Sequence, residues 1–144
     1  MTPQRVTLIT LGVDDMARAC AFYEALGWSP HPSSQPSVTF YQMQGSVLGL
    51  FGRADLARDQ GRPSASLGTG AMTLAQNFET RAAVDAAWRR ALDAGATALK
   101  APEEVFWGGY SGYYADPDGH VWEIAHNPFW PLAEDGSLTL PDPA

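Results

Sequence analysis

The sequence predicts an α+β protein built from two strand–helix–strands halves in tandem, and three observations predict it. Apolar residues make up 45% of the 144-residue chain, enough to build a packed core. Strand-length apolar runs outnumber the two amphipathic helical stretches. Two helix-stopping glycines, Gly27 and Gly95, lie 68 residues apart and close the same local pattern twice, the mark of an internal duplication of architecture. A doubly wound parallel sheet is rejected. There are too few helices per strand, the later strands join by hairpins, and no glycine-rich phosphate loop follows the first strand.

The elements follow in order. Val6–Val13 (VTLITLGV) is β-branched and apolar and reads as a buried strand. Asp14-Asp15 caps the next helix, whose face carries Met16, Ala19, Phe22, Tyr23 and Leu26, and Gly27 ends it. After the turn-rich 31–37 come strands at 38–44 and 46–52, joined tightly at Gly45. Residues 53–70 are linker, with one helical turn at Ala54–Arg58. The second half has a strand at Ala71–Gln76 and a helix starting near Thr80, with a stripe of Val84, Trp88 and Leu92. A short strand at Ala98–Ala101 is followed by strands at 111–116 and 120–126 around the turn Pro117-Asp118-Gly119. Met16, Met43 and Met72 are expected in the core. The expected division is a first module at 1–60, a second at 61–130 and a tail at 131–144.

The formal charge of −7 excludes a nucleic-acid binder, since nothing neutralises a row of phosphates, and disfavours an anionic membrane surface. Cys20 is the only cysteine, so no intrachain disulfide and no multi-cysteine zinc site can form. No signal peptide or membrane-length apolar run is visible, and the expected address is the cytoplasm.

Two segments carry a resemblance. VDDMARACAFYEALGW (13–28) resembles the opening, and GGYSGYYADPDGHVWEIAHNP (108–128) the closing hairpin, of the vicinal oxygen chelate superfamily: glyoxalase, bleomycin-resistance and extradiol-dioxygenase proteins. The resemblance implies two tandem βαβββ modules, with sheets curled into a cup around a ligand, and a homodimer. It also implies metal ligands on the first and fourth strand of each module. Carried over residue by residue, those positions are Leu8, Gly49, Ala71 and Glu123. A shift of one residue offers Thr7 or Ile9, and Leu48 or Leu50, which are no better. One carboxylate does not hold a catalytic divalent ion, so no metal and no other cofactor is expected. His120 and His126 lie an odd number of residues from Glu123 and so face away from it on a strand.

Glu123 is therefore the candidate catalytic or anchoring residue, as a general base or as a partner for a ligand's cation or hydroxyl. The competing account is a vestigial ligand tied to an arginine or a backbone amide. Phe106, Trp107, Tyr110 and Tyr113, interleaved with glycines, are the candidate cavity wall, and Asn77, beside Gln76 at a strand end, a candidate orienting amide. Phe129-Trp130-Pro131-Leu132 is expected to be buried against the body or a partner chain, and residues 133–144 to be loosely ordered. The expected function is small-molecule binding with a degenerate metal site. The alternative is a lyase, isomerase or dioxygenase-type enzyme using Glu123, with or without a divalent metal.

Overall fold

The computed structural model describes residues 1–143. The chain is α+β and separates into two compact units, meeting between Gly68 and Thr69.

In the first unit, β1 (Leu8–Val13), β2 (Val38–Gln42) and β3 (Val47–Gly52) form a sheet in the order β1-β3-β2, with β1 parallel to β3. Helix α1 (Met16–Ala25) starts where the Asp15 side chain accepts from the Arg18 N–H, as the cap residues predict. It buries Ala19, Phe22 and Tyr23, and its C-cap Leu26 is followed by Gly27, whose φ of 101° only glycine adopts readily. The Tyr23 and Tyr41 rings meet, and the Cys20 thiol lies 3.3 Å from the Thr39 hydroxyl, so α1 covers the face of β2 that carries Thr39 and Tyr41.

One strand of a full βαβββ unit is missing here. Residues 28–37 run beside β2 with only an isolated bridge, Gln35–Val38. Pro30, Pro32 and Pro36 explain this: proline lacks the N–H that a ladder needs. The linker is also more structured than a single turn. Residues Arg53–Asp59 form α2, and Arg53 ties it down through an ion pair to Asp14 (3.3 Å) and a bond to the Leu67 carbonyl (3.0 Å). Gly12 leaves room for that arginine, since a Cβ there would sit 3.0 Å from its Cγ.

The second unit has all four strands. β4 (Thr73–Asn77), β5 (Thr97–Glu104), β6 (Tyr110–Ala115) and β7 (Val121–His126) are ordered β4-β7-β6-β5, with β4 parallel to β7. Helix α3 (Arg81–Asp93) is capped by Thr80, whose hydroxyl accepts from the Ala83 N–H, and Gly95 follows at φ 105°. Its buried residues are Val84 and Ala91, Trp88 is half-buried, and Leu92 falls at the edge of that stripe and is 36% exposed. Met72, expected in the core, precedes β4 and is 55% exposed. The turn after β6 is set by Asp116, whose Oδ1 accepts from the N–H groups of Asp118 and His120, both at 2.9 Å, with Gly119 at φ 92°.

Gly112 is a close-approach glycine. A Cβ there would lie 2.8 Å from the Lys100 carbonyl oxygen and the Pro102 nitrogen, both backbone. Gly112→Ala is therefore predicted to cost at least about 2 kcal/mol in urea unfolding. Gly68→Ala, where a Cβ meets nothing within 4 Å, should change stability by less than about 0.5 kcal/mol.

Burial pushes the Tyr41 and Tyr114 phenols well up from their ordinary 10.0, and the Tyr41 hydroxyl is buried without a hydrogen-bond partner. A raised phenol stabilises the fold below the unfolded-state pKa of about 10, and that stability is lost as pH rises beyond it. The melting temperature should fall steeply above about pH 10, less steeply for Tyr41→Phe. At neutral pH Tyr41→Phe should be neutral or stabilising, since it removes an unsatisfied hydroxyl.

Candidate functional site

Strand alternation sorts the second sheet into two faces. Tyr110 hydrogen-bonds through its hydroxyl to Asp85 of α3 (2.7 Å), so the helix covers the face bearing Tyr110, Tyr114, Trp122 and Ile124. The opposite face carries Glu123, flanked in register by Ala75 on β4 and Tyr113 on β6. Asn77 stands beside Ala125 on the same face.

A cavity of about 460 Å³ opens over Glu123, lined by Asn77, Trp107, Glu123, Ala125, Asn127, Phe129 and Trp130. Glycines build its wall. The Trp107 ring lies against Gly109 so closely that a Cβ would fall 1.6 Å from its Cζ3, and the Phe129 ring lies over Gly108, which sits at φ 89°. Asn127 turns the chain after β7, its Oδ1 accepting from the Phe129 N–H at 2.9 Å, which brings Phe129 and Trp130 back to the cavity mouth.

Glu123 is half-buried, and Tyr113 stands directly opposite it on the neighbouring strand. That phenol is raised first by burial, then by the carboxylate's charge and the hydrogen bond between them. No arginine or lysine pairs with Glu123 among the described residues, where the ion pairs include Arg53–Asp14, Arg58–Asp55, Arg81–Glu104 and Lys100–Glu103. The account that ties this acid to an arginine therefore lacks its arginine.

The cavity gathers Glu123, Trp107 and Asn77, with Tyr113 alongside Glu123. It does not gather the other two candidates. Tyr110 is on the helix-covered face, an odd step from Tyr113, with the Arg81 guanidinium 5.1 Å from its ring centroid. Phe106 is fully exposed at the tip of the 105–108 turn. Asn127, Phe129 and Trp130 were missed as lining. Their signal was the apolar run immediately after β7, expected to be buried against the body or a partner chain; against the body alone Phe129 stays 65% and Trp130 40% exposed, as rim residues do.

Register also corrects one position of the ligand set. Leu8 pairs with Val47, two residues before Gly49; in the second sheet Thr73, not Ala71, pairs with Val121, two residues before Glu123. The helix N-caps, Asp15 and Thr80, fix this alignment, whereas the stopping glycines do not because α3 is three residues longer than α1. The four positions thus hold Leu8, Gly49, Thr73 and Glu123. A neutral threonine hydroxyl is a poor ligand, and no group of three or more His, Cys, Asp or Glu side chains gathers among the described residues. His126 is on the helix-covered face, its Nδ1 3.0 Å from the Phe78 carbonyl oxygen. This donor set does not fit a catalytic divalent ion.

The first unit presents a different face. Leu8 and Phe40 pack around Gly49, and a cavity of about 320 Å³ is lined by Thr7, Leu8, His31, Ser33, Phe40, Gln42 and Val47.

Comparison with known proteins agrees with the paired β1-β3 and β4-β7 arrangement. A model of the glyoxalase/bleomycin resistance protein/dioxygenase superfamily matches residues 5–124. The chain belongs to that superfamily. A superfamily structure from Fulvimarina pelagi, described as a glyoxalase-related enzyme, is 40% identical, with a TM-score of 0.89, covering 96% of this chain and 99% of that one. A lactoylglutathione lyase from Agrobacterium tumefaciens shares the fold at 23% identity (TM-score 0.69; 90% and 98% covered). An uncharacterized protein of Mycobacterium tuberculosis is 35% identical over 123 residues, 79% of this chain and 69% of that protein. No described helix is long and apolar enough to cross a membrane.

Because the contact at Gly109 is with the far end of a side chain, Gly109→Ala should swing Trp107 off the backbone. We expect a change in tryptophan emission and in cavity binding, with a stability change below about 1 kcal/mol.

Proposed function

We propose that this superfamily member is a metal-independent small-molecule binding protein, with its site on the open face of the second sheet. One observation carries the reading. Glu123 lines an aromatic-rimmed cavity with no cationic side chain among the described residues compensating it, in the place where a metal-dependent relative would need further donors. The volume of about 460 Å³ suits a small organic molecule, the rings supply contact area, and the Asn77 amide fixes orientation.

The reading includes a cytoplasmic address and a homodimer. The free, half-buried Cys20 suits a reducing compartment. The exposed rings of Phe106 and Phe129 suit contact with a second copy.

Glu123→Gln is predicted to weaken ligand binding about ten-fold or more while leaving the melting temperature within a few degrees, since a hydrogen bond to Tyr113 survives. Thermal-shift screening of the wild type and variant against small aromatic compounds checks this. A large loss of stability with unchanged ligand shifts would remove Glu123 from the site.

A further inference from the structure

We propose that the ligand held over Glu123 is an organic cation, an ammonium or guanidinium group joined to a compact apolar or aromatic body; this deepens the pocket reading above and rests on it. Three features of the cavity point to that chemistry. Among the described residues Glu123 is the only charged side chain lining it, and the other polar side chains there are the amides of Asn77 and Asn127 and the indoles of Trp107 and Trp130. No arginine, lysine or histidine among the described residues lines it to receive a carboxylate, phosphate or sulfate.

The second feature is an uncompensated charge. Glu123 has Tyr113 opposite it but, among the described residues, no cation, and the basic side chain in register with Tyr113, Lys100 on β5, is paired with Glu103 at 3.1 Å. A half-buried carboxylate gains from a cation that replaces lost water, and a neutral ligand supplies no such gain.

The third is the wall. Trp107, Phe129 and Trp130 present π faces, and a cation within about 6 Å of a ring centroid is attracted by the ring quadrupole, most strongly for tryptophan. Acid floor and aromatic sides therefore favour the same charge. The chain's formal charge of −7 adds attraction for a cation at longer range.

The test titrates the full chain with benzyltrimethylammonium and with its uncharged isostere neopentylbenzene, reading tryptophan emission and calorimetric heat. The cation is expected to bind about ten-fold tighter or better, with the advantage shrinking at high salt. Glu123→Gln should erase that preference. Trp107→Leu, at a loop position where the fold is not at stake, should weaken the cation more than the isostere. Equal affinities for the two probes in the wild type would overturn the cation assignment while leaving the pocket reading standing. If the cation does not bind at about 10 mM and the isostere does not bind up to its solubility limit, both fall.

Discussion

The pairing register of β4, β7 and β6 is the constraint on which the site depends. Because side chains alternate along a strand, locking Glu123 between Ala75 and Tyr113 decides every other assignment on that sheet. Ala125 and Asn77 must share its face, while Trp122 and Ile124 must go under α3. The turn at Asp116–Gly119 holds that register: a slip of one residue would bury the acid beneath the helix and send Trp122 to the open side. Gly112 adds to the same end by admitting the β5 backbone at a distance no other residue tolerates.

The two units use one scaffold for two chemistries. Each pairs its first strand parallel to its last, and each covers one face with the helix that follows its first strand. On the other face the first unit sets Leu8 and Phe40 around Gly49, leaving an apolar hollow. The second sets an acid at the position equivalent to Gly49, and glycines at 108 and 109 let two rings close in around it. Membership of the superfamily accounts for the scaffold. It does not supply the chemistry, which resides in these few side chains.

Much of this was legible in the sequence. Caps at Asp15 and Thr80 and glycine stops at Gly27 and Gly95 are local chemistry, and the structure places the helices between them. Strand parity alone separated His126 from Glu123. What failed depended on lengths and on distant packing. Ala71 is only the first residue of the apolar run 71–76; the position seven residues before the N-cap, where Leu8 stands before Asp15, is Thr73 before Thr80. The missing edge strand of the first unit was foreshadowed by three prolines in ten residues at 28–37. Grouping the aromatics of 105–114 as one wall ignored the parity that sends Tyr110 to the helix and Tyr113 to the acid. The apolar run after β7 marks Phe129 and Trp130 but not where they go, since their return to a cavity rim depends on the Asn127 turn meeting Gly108 in space.

The central claim is that Glu123 stands without partner ligands. Isothermal titration of the purified, chelator-treated chain with zinc, nickel, manganese and ferrous ions tests it most directly. The account predicts no site tighter than about millimolar, and indistinguishable heats for wild type and Glu123→Gln. One equivalent of any of these ions bound at micromolar affinity or better, and lost in the variant, would contradict it.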